Sequence, residues 1–540
     1  MNHRHLKGRD RTSKQGESRI KLAKIFQDGM TFQRNKPCKV WGTSSEEKTV
    51  TIYMNEKEVA ERELPQGDFA FFLPPQEAAQ NVTVRIGNDV VFRNVDFGEV
   101  WFAGGQSNME FPMKYDSQFE EMKSSRPDEH LRYYEVAKYS FEGEEEEGLK
   151  SNQDWNCWRC LTPETIGSFS AVAAYFAMEL RKHYNIPVAI VSCNWGGTSA
   201  SAWISREMLE ADEELAVYLR EYEENLAHLD METYCRINYA KRKGMGSPFA
   251  QMINDFMMKN TVTMEQVMQH VGKLAAGAGM EMQGGTAENS GMSQESFMVT
   301  GPHDENRPCG LYESMLSKAA GFTIRGVIWY QGESDDTHPE IYEKLFTRLV
   351  EQLRKDWAEE LPVIYAQLAP FERWMQCRGD KFPELRKQQF NAWEHIDNVH
   401  MISTSDCGNR FDIHPKNKQP IGIRMALSAR QHVYEEAVQG DAPVAVEMKV
   451  QDKQICIRFD NAVSLHLEGQ ELQELEIYTG EEKCEITGWS VNGDIVTVFI
   501  KEAIMSNEIT AVFAQTPYYQ VSLFNENGLP AFPFILQKRI

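Results

Sequence analysis

The sequence predicts an α/β protein: a three-layer α/β/α domain on a five-stranded parallel sheet, flanked by N- and C-terminal β-sandwich-like domains. Three observations predict this. Five short, continuously apolar runs alternate with amphipathic helical segments between residues 98 and 438, and such runs suit strands buried on both faces of a parallel sheet. Period-two alternation occurs before and after that region, the pattern of half-buried antiparallel strands. The length of 540 residues, at ~150 residues per domain, calls for more than one domain.

Taken in order, residues 1–21 are basic and polar and read as a flexible arm without the apolar core of a secretory signal. Residues 22–97 form the first β domain: Val50, Ile52 and Met54 alternate with polar neighbours, as do Val82, Val84 and Ile86. The catalytic-type domain spans 98–438. Its predicted strands are 99–104, 188–193, 324–330, 361–368 and 399–404, and its helices 169–184, 340–357, 383–396 and 420–438. In the second helix Ile341, Leu345, Leu349 and Leu353 recur every four residues and make one apolar stripe. Residues 205–308 are too long for one crossover and read as an insertion; ten of the 25 methionines lie between Met245 and Met298. Residues 439–540 return to β alternation, at Val446, Met448 and Val450 and at Ile455, Ile457 and Phe459, with a hairpin at Asn492-Gly493. The aromatic tail that follows is expected to pack back on the body.

Lys and Arg total 57 and Asp and Glu 80, a formal charge of −23. Phosphate affinity needs clustered cations, so nucleic acid and anionic membrane are excluded as partners. No apolar stretch approaches the ~18 residues of a membrane helix. Ten scattered cysteines read as reduced thiols of a cytoplasmic protein. There is no HExxH, DxDxDG, GxGxxG or P-loop motif, so no metal and no cofactor are expected.

Ligands of open α/β sheets sit beyond the carboxyl ends of the strands. After the first predicted strand comes GGQSNME, with Ser107; after the second NWGGTSASAW, with Gly196 and Gly197; after the third QGESDD, with Gln331 and Glu333; after the fifth DCGNRFDIHPKNK, with Asp412 and His414. A serine hydroxyl needs a base to become nucleophilic. Asp412 and His414 are two apart, and on an extended segment both side chains share one side. Asp412 then accepts from His414 Nδ1, and Nε2 takes the Ser107 proton. Candidate oxyanion donors are the Ser107 amide, the Gly196 or Gly197 amide, and the Gln331 side chain. Neutral His414 predicts an activity loss below about pH 6–7. Glu333 is open between a substrate contact and a loop buttress.

These motifs resemble the SGNH hydrolases, and more closely the sialate O-acetylesterase group with its related bacterial carbohydrate acetylesterases. The matching stretches are DGMTFQRNKPCKVWG at 28–42, GEVWFAGGQSNMEF at 98–111, NWGGTSASAW at 194–203, IRGVIWYQGESD at 324–335, DIHPKNKQPIGIRMALSAR at 412–430 and NENGLPAFPF at 525–534. The resemblance implies a flavodoxin-like catalytic domain and hydrolysis of O-acetyl esters on sugars. It makes Ser107 the acylated residue, His414 base then acid, and Asp412 its orienter, with Asp406 a second carboxylate candidate. Ser107, Gly197 and Gln331 would form the oxyanion hole. Gln106, Asn108, Trp195, Gly196, Glu333 and Arg410 would contact substrate. The partner is then an acetylated mono- or oligosaccharide, foremost 9-O-acetyl sialic acid. Acetylated xylan or another plant oligosaccharide is the alternative, ahead of lipase or thioesterase action or sugar binding without catalysis. An acidic sugar requires a local cation in so acidic a chain, and Arg410, Arg373 and Arg424 are candidates. The oligomeric state is not legible.

Overall fold

A computed structural model of the chain describes residues 20–124, 126–147, 152, 154–245, 247–277, 300–501, 504 and 508–539. The later part of the Met-rich stretch, from residue 278 on, lies outside the described residues, as does the arm up to residue 19.

All five predicted apolar runs are strands: Val90–Gly105, Val188–Asn194, Gly326–Tyr330, Val363–Ala366 and Val399–Ile402. Their residues are buried because both faces of the sheet are covered, which is why they carry no alternation. The parallel sheet nevertheless has six strands, not five. Asp128–Glu135 pairs parallel with Val188–Asn194, and Trp158–Leu161 closes that edge antiparallel. Asp128–Glu135 reads DEHLRYYE, with charge at both ends and no apolar run, so its sequence did not mark it as a strand. Across the sheet the order is 128–135, 188–194, 90–105, 326–330, 363–366, 399–402. Chain order reverses around Val90–Gly105, which opens a crevice at the carboxyl end of that strand.

Val90–Gly105 is also the join to the N-terminal strands. Its first half pairs antiparallel with Ala79–Ile86, and its second half pairs parallel with Val188–Asn194 and Gly326–Tyr330. One hydrophobic core therefore runs from Val50, Ile52 and Val84 through Trp101 and Phe102 to Leu345 and Met425. Arg132 fastens the same junction, donating to the carbonyls of Gly29, Met30 and Asn94 and pairing with Asp96.

Two helix pairs cover the sheet. Ala171–Tyr184 packs on Gln419–His432, and Tyr342–Trp357 on Phe382–His395. The last predicted helix ends at His432, six residues early. Leu345, Leu349 and Leu353 form the expected buried stripe.

The C-terminal strands form two four-stranded antiparallel sheets with their own core around Ile455, Ile457, Val498 and Phe513. The predicted Val446 position is reversed: Val446 faces out, and Ala445 is buried. A β-bulge between Ala445 and Glu447 shifts the strand by one residue, which flips the side on which each residue points. The tail does return to the body, with Phe532 against Phe390 and Trp393.

The described part of the insertion is helical: Arg206–Glu210, Val217–Ala227, Met231–Met245, Pro248–Lys259 and Met264–Gly277. Among the described residues no helix is long and apolar enough to cross a membrane.

Candidate active site

Four strand ends meet at the crevice. Ser107 opens the four-residue helix Ser107–Glu110 directly after Val90–Gly105. Gly105, at φ +135°, allows the turn: a Cβ there would lie 2.1 Å from the Tyr330 carbonyl oxygen. The residues on either side of Ser107 bind the strand ends together. Gln106 Oε1 accepts the N–H groups of Gly332 and Ser334, both at 3.2 Å. Asn108 Nδ2 donates to Glu333 Oε1 at 2.5 Å and to the Ile413 carbonyl at 3.0 Å, and Asn108 Oδ1 accepts from Lys418 Nζ. The Asn108–Ile413 bond brings their neighbours Ser107 and His414 to the same edge.

The loop after Val188–Asn194 is held against Ser107. An ideal Cβ on Gly196 would stand 3.1 Å from Ser107 Cβ. The Gly196 N–H donates to Glu110 Oε2 at 2.6 Å, and Glu110 is paired in turn with Lys138. Gly197 takes φ +76° with open space over its Cα. No described residue accepts from the Gly197 or Ser107 N–H. We expect Gly196→Ala to push Ser107 aside and lower kcat about 10- to 100-fold, because displacements of this size near the reacting atoms are costly. Steady-state kinetics with unchanged thermal unfolding would check this.

Several residues read from the sequence as catalytic or substrate-binding have other work here. Gln331 is 1% exposed, and both hydrogens of its Nε2 are taken, by the Thr198 carbonyl and by Asp335. It supports the loops from below and has no free donor for an oxyanion. Asp335, which the sequence reading passed over, is the hub of that layer. It accepts from Ser199 Oγ at 2.5 Å and from the Ala200 N–H, and burial raises its pKa to about 6. Gln106, Asn108 and Glu333 are buried and bonded to protein rather than presented to substrate. Glu333 takes the buttress role, and burial lifts its pKa. The Gly196 N–H is spent on Glu110. Trp195 is half-buried at the edge of the core.

Asp412 does not reach the imidazole. The segment Phe411–His414 turns instead of extending, and Asp412 Oδ1 accepts the His414 backbone N–H at 2.9 Å, an Asx-type turn. Its Oδ2 accepts from Thr261 of the insertion at 3.0 Å and pairs with Lys416 at 2.9 Å. Asp406 is clamped by Arg424 at 2.6 and 2.7 Å. Among the described residues His414 Nδ1 is buried without a partner. Its ring packs edge to face on Trp374, with centroids 5.2 Å apart. Trp374 lies in the segment after the strand Val363–Ala366, where the sequence reading named only its neighbour Arg373. The apolar cavity lined by Trp41, Tyr139 and Phe141 lies elsewhere, and neither Ser107 nor His414 lines it.

Burial, then Lys418 and Lys416, lower the His414 pKa to about 3. Burial also pushes Lys418 down to about 7. His414 is therefore the neutral base form well below pH 6. Its folded pKa lies under the ordinary ~6.5, so the unfolded chain takes up this proton first, and folding stability falls as pH drops from about 6.5 toward 3. The activity expectation moves accordingly: kcat/KM should hold within about twofold from pH 7 to pH 5. An acid limb centred at pH 6–7 that persists in Asp335→Asn and Lys418→Met would show that His414 is charged in the free enzyme at those values.

An open parallel sheet with a serine, a neutral histidine and a free glycine amide, that of Gly197, at one carboxyl edge is the arrangement of a serine ester hydrolase. The particular relatives are sialate O-acetylesterases. A family model described as carbohydrate esterase, sialic acid-specific acetylesterase, matches residues 284–431. The mouse sialate O-acetylesterase is 23% identical over 509 residues, covering 88% of this chain and 82% of its own. The human sialate O-acetylesterase is 22% identical over 564 residues, covering 96% and 92%. The crystal structure of a carbohydrate acetylesterase from Xanthomonas citri shares the fold, with TM-score 0.68 at 24% identity, covering 96% of this chain and 99% of that one. These matches bear out the resemblance carried by the motifs and the class of carboxylic ester hydrolase.

Proposed function

We propose that the chain removes O-acetyl groups from carbohydrates through an acyl-enzyme on Ser107. The observation that supports this reading is the Asn108–Ile413 bond, which ties the residue after Ser107 to the residue before His414 at the switch point of the sheet. His414 Nε2 takes the Ser107 hydroxyl proton as Oγ attacks the acetyl carbonyl. The Ser107 and Gly197 N–H groups hold the oxyanion. Collapse of the tetrahedral adduct breaks the bond between the acetyl carbon and the sugar oxygen, and His414 passes its proton to that oxygen as the sugar leaves with a free hydroxyl. Water then attacks acetyl-Ser107 with His414 again as base, releasing acetate and restoring the hydroxyl. Asp412 acts on the backbone of the His414 turn and not on its ring. The chain divides into a β region at 22–97, the catalytic region 98–438 with its insertion at 205–308, and a β region at 439–540.

Acetylated sialic acid is the first substrate to test, as in the relatives named for it. A second reading, a neutral acetylated xylo- or plant oligosaccharide, is favoured by the arginines. Arg410 is paired with Glu372 and Arg424 with Asp406, which leaves Arg373 as the candidate without a described carboxylate partner. Acetate release from 9-O-acetyl sialic acid, acetylated xylo-oligosaccharides and p-nitrophenyl acetate decides among these. No acetate from any sugar ester would sink the proposal.

A further inference from the structure

The strand Val363–Ala366 ends in a segment that folds into a tight two-residue hairpin, with Arg373 opposite Arg378 and Trp374 opposite Cys377. Met375 sits in its turn at φ +53°. The hairpin is fixed at its base. The Glu372 and Arg373 N–H groups donate to the Arg410 carbonyl at 3.2 and 3.1 Å, and the Gly379 N–H to Glu372 at 2.8 Å. The Phe371 N–H donates at 2.9 Å to Pro517 of the C-terminal region. A Cβ on Gly379 would fall 2.1 Å from the Phe371 carbonyl oxygen, so that closure needs glycine.

Cross-strand partners on one hairpin point to the same face. Trp374 and Cys377 therefore share one face, and Trp374 shows which face it is, because its ring meets the edge of His414. Cys377 is exposed, and its thiol feels the Asp336 and Glu333 carboxylates of the neighbouring strand end. Trp374 Nε1 is sealed from solvent and has no hydrogen-bond partner among the described residues. A buried indole N–H ordinarily finds an acceptor, and leaving it unmade is expensive.

Building on the reading of the site as a carbohydrate esterase, we propose that Trp374 is a specificity-determining residue: its indole walls the site beside His414, and its Nε1–H donates to an oxygen of the bound sugar. The ring offers an apolar face to the sugar, and the N–H fixes its orientation. Hydrolysis of the ester itself does not use that N–H, so it serves binding more than chemistry.

Trp374→Phe keeps a ring and removes the donor. It should raise KM for the sugar acetate about tenfold, lower kcat less than threefold, and cost less than threefold on p-nitrophenyl acetate, which carries no sugar. Gln376→Ala, at the exposed turn, is the control for general disturbance of the hairpin. Wild-type KM in Trp374→Phe, or an equal loss on both esters, overturns the proposal. A second measurement stands even if the protein releases acetate from no sugar. Labelling Cys377 with N-ethylmaleimide should lower p-nitrophenyl acetate turnover at least tenfold, and Cys377→Ala should resist. Full activity after complete labelling at Cys377 would show that this face does not line the site.

Discussion

Replacing Ser107 by alanine is expected to lower acetate release by about 10⁴-fold or more, because a nucleophile cannot be supplied by its neighbours. The fold should not notice. Ser107 is only part-buried, and its hydroxyl has no hydrogen-bond partner among the described residues. Thermal unfolding should therefore coincide with that of the parent, which separates loss of chemistry from loss of structure. His414→Ala should fall to a similar residual rate, and the double variant no further, since the two act as one unit. Residual turnover above about 1% in Ser107→Ala would remove it from the nucleophile's place.

The second large effect belongs to Asn108, one residue on. Its side chain satisfies three buried groups at once: Glu333, the Ile413 carbonyl and Lys418. Asn108→Ala leaves all three without this partner. Each buried polar group so stranded costs about 1–3 kcal/mol, and more when charged, so a destabilisation of about 3–5 kcal/mol is expected in urea unfolding. Activity should fall at least about 100-fold in the molecules that remain folded, because the bond that ties the Ser107 turn to the His414 loop is gone. The combined loss distinguishes this residue from Ser107, whose removal touches rate alone. A destabilisation under 1 kcal/mol would show that water replaces the amide in the network.

The predicted parallel strands and the C-terminal hairpin were legible because each leaves a local signal. Continuous apolarity marks strands covered on both faces, and Asn492-Gly493 marks the hairpin, whose two-residue turn falls one place later, on Gly493 at φ +61° and Asp494. Asp128–Glu135 left no such signal. Its inclusion in the sheet comes from its neighbour Val188–Asn194 and from the N-terminal strands that Arg132 fastens, and neither is encoded nearby. The register of Ala445 and Val446 was missed for a similar reason, since a bulge is a property of the strand pair.

At the site, residue types and order along the chain brought Ser107, Gly197 and His414 to one sheet edge before any coordinates. Which groups remain free for substrate is a different matter. Gln331, Gln106, Asn108 and Glu333 have the chemistry of substrate contacts, yet they are buried and the donors of Gln331, Gln106 and Asn108 are taken by protein groups. Asp412 sits two before His414, but the local turn directs its carboxylate to backbone, to Thr261 and to Lys416. Trp374 lies in a loop with no motif and becomes visible only when its hairpin folds over His414. By itself the sequence determined the strands of the sheet and which polar residues follow each strand end, because hydrophobic periodicity and strand-end position are local properties. The tertiary structure decided which of those residues are satisfied and which are open, because hydrogen-bond saturation depends on partners hundreds of residues away.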